Sequence, residues 1–359
     1  MYTVLSGAKI NMGDFLITQR ARELLTHLRP EHELFQLPHW ESLDPHLEQI
    51  NASRAVIILG GPGYQPKFYP GVYKLTQDLS RLRVPIIPLG LGWKGVPGDW
   101  DTVRHYRFTT ESLAVLHRIS RETPYLGCRD HLSREVLRRN GIANTLVTGC
   151  PAWYHLPSLG QPLRVPSGIT AFAVTPAQRP MYQAQSIAVL RTLAERFPTA
   201  RRYCSFNRGI DQEDPRIPAE DRRNNRGIAT AALQLDYEVR DVSGGLDRIG
   251  FYEMCDFHVG YRVHSHIHFL SRRRPSFLLH EDGRGRGMSA ALSVPGIDAF
   301  ERAGFFRHRG IRPADDTVEM LNAYVDEEVT NGFARFAGVP AVLDAHYGIM
   351  RRFIADLPA

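Results

Sequence analysis

The sequence predicts an α/β protein with two Rossmann-like domains that face each other across a cleft. The 359 residues exceed the size at which a single hydrophobic core usually stops growing, about 250–300 residues. Short apolar segments alternate with helical segments in two successive series, which is the pattern of parallel βαβ units. A stretch rich in Pro, Gly and Ser at residues 157–168 separates the two series. We therefore expect domains at residues 1–160 and 165–315, followed by C-terminal helices at 316–359 that pack back on the first domain.

The first series alternates strands with helices along its whole length. Strands are predicted where apolar residues are continuous, at residues 2–5, 54–59, 85–89, 125–128 and 145–148. Helices are predicted where apolar residues recur at helical spacing, at residues 14–28, 72–82, 111–120 and 131–139.

The second series repeats this alternation after the linker. Its predicted strands are residues 169–174, 201–206, 237–242, 256–260 and 275–279. Its predicted helices are residues 185–196, 246–254 and 263–271. The charged stretch 208–225 is predicted to be a loop that leads into a helix, and the tail at 317–357 to be mostly helical.

The basic residues are nearly all arginine. The formal net charge is +6, and Lys stands only at Lys9, Lys67, Lys74 and Lys94. A codon-usage bias toward Arg is the simpler interpretation of the total, and at particular sites the guanidinium fork suits phosphate or carboxylate. No tract of basic residues with interleaved aromatic residues indicates a nucleic-acid surface.

Cysteine spacing and the N-terminal segment favour a reduced, cytoplasmic protein. The four cysteines, Cys128, Cys150, Cys204 and Cys255, form no CxxC pair, which argues against a zinc knuckle. Each lies in or beside an apolar segment, where a free thiol behaves as a small buried hydrophobe. Residues 1–6 are too short and polar for a signal peptide, and no apolar run is long enough to span a bilayer. Peripheral contact with a membrane stays open.

The strongest candidate site is the turn after the predicted strand 256–260, because ligands bind at the carboxyl ends of parallel strands. A helix that begins near Val263 would present free backbone N–H groups and its positive dipole end to an anion. Arg262 adds a guanidinium fork, His264 a group that titrates near neutral pH, and Ser265 a candidate helix cap. These residues together indicate a site for a small substrate that carries phosphate or carboxylate.

A metal site is the alternative interpretation of the same turn. His264, His266 and His268 alternate, so on a strand all three would share one face. On a helix only His264 and His268 share a face. The pattern after Gly260 predicts a helix, which argues against a metal.

Turns of the first series supply further candidates. Asn11, Gly13 and Asp14 follow the first strand; Gly13 permits close approach of a ligand, and Asp14 either caps a helix or acts on a hydroxyl. Gly60 and Gly61 follow the next predicted strand and can turn backbone N–H groups toward a ligand.

Four more turns are weaker candidates. Arg129 and Asp130 end a strand and begin a helix, an arrangement that is more often structural than functional. Residues 148–152 are interpreted as architecture at the domain edge. In the second series, Arg179 follows a strand and reaches toward the cleft or toward solvent. Arg284 and Arg286 lie among glycines, as flexible groups able to close over an anion or as a solvated loop.

Taken together, these turns resemble the polysaccharide pyruvyl transferase family. The matching elements are N-x-G-D at residues 11–14, the glycines at 60–61, R-D-x-x-S at 129–133, T-G-C-P-A at 148–152 and G-x-R-x-H-S at 260–265. They occur in the order found in the family and span most of the chain.

The resemblance implies a fold similar to GT-B glycosyltransferases and transfer of pyruvate from phosphoenolpyruvate to two hydroxyls of a sugar, giving a cyclic ketal. It places phosphoenolpyruvate binding and catalysis on Arg262 and His264, with Asp14 as an assisting base. The donor side would be the second domain, and the acceptor side, for a sugar or lipid-linked glycan, the first. No cofactor or metal is implied, because arginines supply the positive charge and phosphoenolpyruvate is itself the donor substrate.

The sequence departs from the family at two places. Pro62 stands where the family usually has a third glycine, and residues 280–284 lack the lysine of a Tyr-Asp-x-Lys-like loop. Two alternatives therefore stay open. One is a GT-B-type glycosyltransferase that uses a nucleotide sugar, and the other is a non-catalytic relative that binds an anion or a partner.

Overall fold

The computed structural model describes residues 1–211, 214, 217–303 and 310–359. Its chain forms two compact units. The first consists of Met1–Ala8, Asp14–Leu159 and Ala341–Ala359, and the second of Lys9–Gly13 and Gly160–Pro340. Part of the charged stretch expected at 208–225, namely residues 212, 213, 215 and 216, lies outside the described residues, as do residues 304–309.

The first unit is a parallel α/β layer structure. Its elements in chain order are β1 (Tyr2–Ser6), α1 (Met12–Leu28), β2 (Leu34–Pro38), α2 (Leu47–Asn51), β3 (Val56–Leu59), β4 (Ile86–Leu89), α3 (Trp100–His105), α4 (Thr110–Glu122), β5 (Leu126–Cys128), α5 (His131–Arg139) and β6 (Thr145–Val147). The strands pair in the order β2-β1-β3-β4, and the parallel pair β5-β6 joins them through a bridge between Leu91 and Cys128. The strand order reverses between β1 and β3, which is where a doubly wound sheet opens a crevice for a ligand.

Two elements of the first unit differ from the sequence prediction. The predicted helix at 72–82 is wrong: Leu75 takes a left-handed φ of 46°, and only Leu79–Arg81 close a single 3₁₀ turn. The strand β2 was not predicted, because only Leu37 of its five residues is buried and its apolar pattern is correspondingly weak.

The second unit has the same architecture with a different strand order. Its elements are β7 (Ala171–Thr175), α6 (Gln183–Arg196), β8 (Arg201–Phe206), α7 (Ala219–Gln234), β9 (Glu238–Asp241), β10 (Phe257–Gly260), α8 (Val263–Ser271), β11 (Ser276–His280), α9 (Gly283–Leu292), β12 (Ile297–Asp298), β13 (Phe300–Arg302), β14 (Ile311–Pro313) and α10 (Thr317–Thr330). The strands β12-β11-β10-β7-β8-β9 form a parallel sheet, and β13 pairs antiparallel with β14. This is the strand order of dinucleotide-binding Rossmann folds, with its switch point between β7 and β10.

The C-terminal helices are shared between the units. We expected the second domain to end at residue 315, whereas the second unit continues to Pro340. It does so because α10 and the turn after it pack on the sheet: the rings of Tyr324 and Phe336 lie 4.9 and 5.3 Å from Phe277 of β11. The last helix, α11 (Val339–Ala355), belongs to the first unit from Ala341 onward.

Two more predictions concern the second unit. The helix predicted at 246–254 is a 3₁₀ helix, Asp247–Met254. The glycine-rich stretch after β11, expected to be flexible, forms the start of α9, because Asp282 caps that helix by accepting a hydrogen bond from the Arg284 N–H. The α/β class with parallel sheets is confirmed. None of the described helices is long and apolar enough to cross a membrane.

Candidate active site

The carboxyl end of β10 places Arg262 and His264 at the switch point of the second unit. Gly260 closes the strand with a φ of 155°, and a Cβ there would lie 2.2 Å from the Thr175 carbonyl oxygen of β7. Only glycine therefore allows β7 and β10 to meet so closely at this edge. Arg262 is the N-cap residue of α8, and His264 is the second residue of the helix.

A small pocket opens beside Arg262 at this edge of the sheet. It is lined by residues at the ends of three parallel strands and by one residue of α7: Pro176, Ala177, Gln178, Phe206, Asn207, Arg208, Arg262 and, on α7, Asn225. The N-terminal turn of α8 has backbone N–H groups without intrahelical acceptors. The pocket therefore combines a helix N-terminus with arginine side chains, which is an arrangement suited to an anion.

The Arg262 side chain is mostly buried and held from two sides. Its Nη1 donates to Gln178 Oε1 at 3.3 Å and lies 3.7 Å from Glu281 Oε2. Burial lowers the pKa of Arg262, and the positive charges of Arg284 and Arg208 lower it further while Glu281 opposes them. An anionic ligand would thus relieve crowding among three guanidinium groups.

His264 lies directly against Gly13. Both residues belong to the second unit, and a Cβ on residue 13 would fall 2.2 Å from the Nδ1 atom of the imidazole. The segment 9–13 is fastened at this edge, because the Met12 N–H donates to the Asn207 carbonyl at 2.9 Å and the Gly244 N–H to the Ile10 carbonyl at 2.7 Å. The Asn11 side chain accepts a 3.4 Å hydrogen bond from the Gly13 N–H.

Ser265 has a structural contact with another residue of the site. Its side chain is fully buried in the first turn of α8, and it exchanges hydrogen bonds of 3.0 and 3.1 Å with Asn207. The cap position of the helix is occupied by Arg262 instead. The hydroxyl of Ser265 therefore orients Asn207, which follows β8, rather than facing a ligand.

The arginines after β7 and β11 have different surroundings. Arg179 precedes a 3₁₀ turn, where its carbonyl accepts a hydrogen bond from the Tyr182 N–H at 3.0 Å, and its positive charge acts on Glu281, as that of Arg262 does. Arg284 is paired with Asp282 in its own helix turn, at 2.7 Å.

Arg286 points to another part of the unit. It is paired with Asp298 and lies over the ring of Phe300, 5.0 Å from the ring centre. Contacts with β12 and β13 hold the Arg286 side chain here, and its closure over an anion stays a prediction.

His280 joins the same network as Arg286. Its Nδ1 lies 3.0 Å from Asp298 Oδ1 and its Nε2 lies 2.9 Å from Ser289 Oγ. Ser289 lies inside α9, where the backbone N–H groups are used by the hydrogen bonds of the helix itself. They are therefore not available to stabilise an oxyanion, as a catalytic serine would require. This chain of side chains consequently fastens α9 to β11 and β12.

The neighbouring histidines do not form a cluster with His264. His266 lies on the buried side of α8, where its Nδ1 is 2.8 Å from Ser276 Oγ of β11. Since α8 is a helix, the three alternating histidines do not all share one face. Among the described residues no group of three or more His, Cys, Asp or Glu side chains is arranged to hold a metal ion.

A second pocket lies at the switch point of the first unit. It encloses about 540 Å³, counting its open mouth, and includes Asp14, Gly60, Gly61, His39 and Tyr73 in its wall. Gly60 and Gly61 take φ values of 35° and 76°, and a Cβ on Gly60 would lie 2.7 Å from Ile17. Glycine is thus required to keep the turn after β3 close to α1.

Polar groups of different kinds converge in this first-unit pocket. Asp14 lies in the first turn of α1, and its charge together with burial raises the pKa of the Tyr73 phenol, burial having the larger effect. The His39 Nδ1 lies 2.9 Å from the Val72 carbonyl. Sequence reasoning missed His39 and Tyr73, because His39 directly follows the unpredicted strand β2 and Tyr73 lies in the wrongly predicted helix.

Arg129 is buried close to the same edge of the first unit. Its Nε donates to Asp130 Oδ2 at 2.9 Å, and Asp130 caps α5, as the structural interpretation predicts. Gly92 lies against the guanidinium, where a Cβ would be 2.3 Å from Cζ. Both Nη atoms are buried, and neither has a hydrogen-bond partner among the described residues. A buried guanidinium left half unsatisfied favours an acceptor supplied by a ligand.

Residues 148–152 form a connection between β6 and the end of the first unit. Gly149 has a φ of 73°, and residues Pro151–Trp153 form one 3₁₀ turn that places the Cys150 sulfur against Gly60. This turn supports the glycine turn after β3.

Known structures share this fold at low sequence identity. The chain is similar to Anabaena HepE in complex with UDP and glucose, with a TM-score of 0.55, 12% identity and coverage of 99% of this chain and 98% of that one. It is also similar to S. aureus MnaA in a structure with UDP, with a TM-score of 0.54, 12% identity and coverage of 99% and 94%. A putative UDP-N-acetylglucosamine 2-epimerase from Listeria monocytogenes gives a TM-score of 0.53 at 12% identity, with coverage of 97% and 93%. The fold is therefore GT-B-like.

The sequence itself matches a family. No curated protein sequence matches the chain significantly. The family model described as polysaccharide pyruvyl transferase matches residues 11–279, which includes the turns at Gly13, Gly60, Arg129 and His264. Because this match covers well over half of the chain, the protein belongs to the polysaccharide pyruvyl transferase family.

Proposed function

We propose that the protein transfers pyruvate from phosphoenolpyruvate to two hydroxyls of a sugar, forming a cyclic ketal in the biosynthesis of a cell-surface polysaccharide or glycolipid. The observation that carries this proposal is the position of Arg262 and His264 together at the N-terminal end of α8, at the switch point of the second unit. A fixed cation beside a titratable imidazole is what an anionic substrate that must be protonated requires.

The donor binds, in this proposal, in the pocket beside Arg262. The guanidinium fork and the N–H groups of α8 hold the phosphate or the carboxylate of phosphoenolpyruvate. Arg208 and Gln178, which line the pocket, add positive charge and a hydrogen-bonding amide. This arrangement also stabilises the negative charge that builds up on the departing phosphate.

His264 is the proposed proton donor. It protonates the methylene carbon of phosphoenolpyruvate, which becomes the methyl group of the product and leaves the adjacent carbon electrophilic. One sugar hydroxyl adds to that carbon, the bond to the phosphate oxygen breaks with its electron pair, and the second hydroxyl closes the ring. One of the two hydroxyl protons restores the imidazolium of His264, and the other leaves with the phosphate. The reaction is therefore balanced.

The first-unit pocket is the proposed acceptor site. Asp14 is the candidate base for a sugar hydroxyl, and Gly60 and Gly61 let the backbone approach the sugar closely. The acceptor is a sugar or a lipid-linked glycan. The UDP and glucose in the Anabaena HepE structure support a sugar ligand for this fold.

Arg129 supplies a further binding group in the proposal. Its two buried Nη atoms, which lack partners among the described residues, are suited to a carboxylate or phosphate oxygen. Arg179 and Arg284, near Glu281, extend the positive field around Arg262.

A cytoplasmic location without nucleic acid completes the proposal. The four cysteines at 128, 150, 204 and 255 are free and buried, which suits a reducing compartment. No cofactor enters the mechanism, because the arginines supply the positive charge.

The test combines the protein with phosphoenolpyruvate and a panel of glycosides. Release of phosphate together with a ketal methyl signal in the product would support the proposal. The same panel is run with UDP-sugars in place of phosphoenolpyruvate. Turnover of a UDP-sugar without any ketal formation would overturn pyruvyl transfer in favour of glycosyl transfer.

A further inference from the structure

Glu281 stands beside the proposed donor site with one oxygen unused. It follows β11, whose Leu278 pairs with Gly260 of β10, so the ends of the two strands bring Glu281 next to Arg262. Its Oε2 lies 3.7 Å from Arg262 Nη1, which is longer than a hydrogen bond. Its Oε1 is buried with no hydrogen-bond partner among the described residues. The side chain is only 6% exposed, so bulk solvent has little access to this oxygen.

The position of Glu281 lies outside the family match, which ends at residue 279. It lies in the stretch 280–284, in which this chain lacks the lysine expected from the family resemblance. The family match therefore gives this carboxyl group no role.

The charges around Glu281 are mixed. Arg262 faces it from the turn before α8, Arg179 from the segment after β7, and Arg284 and Asp282 from its own turn. The phenols of Tyr182 and Tyr261 also lie within its field. Arg284 is paired with Asp282 at 2.7 Å, and Arg262 donates a hydrogen bond to Gln178 while it lies 3.7 Å from Glu281.

We infer that Glu281 is a further binding residue of the donor site, which takes up a proton when an anion binds at Arg262 and then donates a hydrogen bond to that anion. A charged carboxylate at this position would repel phosphate or carboxylate, whereas a neutral carboxylic acid is a donor. The inference rests on the proposed function only for the identity of the anion.

The burial of Glu281 before any anion binds supports this inference. Burial raises the pKa of the Glu281 carboxyl above its ordinary value, although Arg262 and Arg284 act against the rise. A bound anion adds negative charge close by and raises the pKa further. Between the pKa of the free site and that of the occupied site, each anion bound takes up one proton. The affinity for the anion therefore falls as the pH rises, by up to about tenfold per pH unit in this window.

Calorimetric titration of the whole protein tests this inference. Phosphoenolpyruvate and sulfate are titrated separately in two buffers of different ionisation enthalpy, from about pH 5 to about pH 9. Sulfate does not titrate in this range, so proton uptake with sulfate reports on the protein. We expect the wild type to take up protons when sulfate binds. Glu281→Gln should take up fewer, by up to one proton per sulfate. The amide keeps a hydrogen-bond donor, so this variant should bind without the loss of affinity at high pH.

The outcomes separate this inference from the proposed function. Equal proton uptake in wild type and Glu281→Gln, uptake of no proton by the wild type, or binding of neither anion would each overturn the role of Glu281. The wild-type titration alone decides the last two outcomes, even if the variant were unstable. Anion binding that takes up a proton at Glu281, without ketal formation, would leave Glu281 as an anion-binding residue. It would overturn only pyruvyl transfer.

Discussion

Gly13 and His264 are in direct contact: the position of a Cβ on residue 13 lies 2.2 Å from the imidazole Nδ1. The N-x-G-D element and the R-x-H element are far apart in sequence, yet one of them shapes the surroundings of the other. Glycine is required here because any side chain would displace the ring of the proposed acid.

We expect Gly13→Ala to lower kcat about 100-fold, because a displacement of about 1 Å in a reacting group has an effect of this size. Alanine suits a helix, but making room for its Cβ costs about 1–3 kcal/mol of stability, so kcat is measured well below the melting temperature of the variant. The control is Gly168→Ala, since no atom lies within 4 Å of a Cβ at that position. Wild-type turnover by Gly13→Ala would show that the imidazole need not hold this position.

Replacement of the proposed proton donor should separate binding from chemistry. We expect His264→Ala to lower kcat by about 10²- to 10⁴-fold, the usual contribution of a general acid, with the affinity for phosphoenolpyruvate little changed. His105→Ala is the control, because that side chain is 70% exposed on α3. A fully active His264→Ala variant would exclude the acid role.

The shape of the Arg262 side chain should matter as much as its charge. Arg262→Lys keeps the positive charge but loses the bidentate fork, so we expect the KM for phosphoenolpyruvate to rise about 10- to 100-fold. Arg286→Lys is the matched control in the same unit, because Arg286 is paired with Asp298. Steady-state kinetics that gave the same KM for both variants would contradict a donor site at Arg262.

Buried histidines of the second unit should make its stability depend on pH. Burial lowers the pKa of His258 to about 3 and that of His266 well below its usual range. Both are therefore neutral in the folded protein and protonated in the unfolded chain below about pH 6.5. Their contribution to stability is present above that pH. As the pH falls toward 3, it is lost by up to about 1.4 kcal/mol per pH unit for each group.

Urea unfolding at a series of pH values measures this effect. His258→Gln should lower the slope of the unfolding free energy against pH by the contribution of one histidine, up to about 1.4 kcal/mol per pH unit. An unchanged slope would mean that His258 does not remain neutral in the fold.

The alternation of elements was predictable from sequence, because buried parallel strands are continuous apolar runs bounded by turns. The strand ending at Gly260 and the helix beginning at Val263 are examples. Strand β2 was missed because an edge strand with one buried residue has little apolar signal. The helix predicted at 72–82 failed because the left-handed backbone of Leu75 is set by packing, which periodicity does not report.

The candidate site was predictable as far as it lies at strand ends. Arg262 and His264 were found because a cation and a titratable ring follow a strand directly. Arg208 also follows a strand, β8, but the charged stretch after it obscured the signal. The pairing of Arg286 with Asp298 depends on residues that meet only in the folded sheet, so sequence alone left Arg286 among the ligand groups.

The chain passes from one unit to the other four times, at residues 8–9, 13–14, 159–160 and 340–341. Dissection at the linker near residue 160 would therefore not yield two self-sufficient pieces. A fragment that begins at Gly160 would lack the five residues whose Met12 and Ile10 backbone groups bind Asn207 and Gly244, and the glycine that lies against His264. A peptide spanning residues 9–13, supplied in trans, is the natural complement for such a fragment.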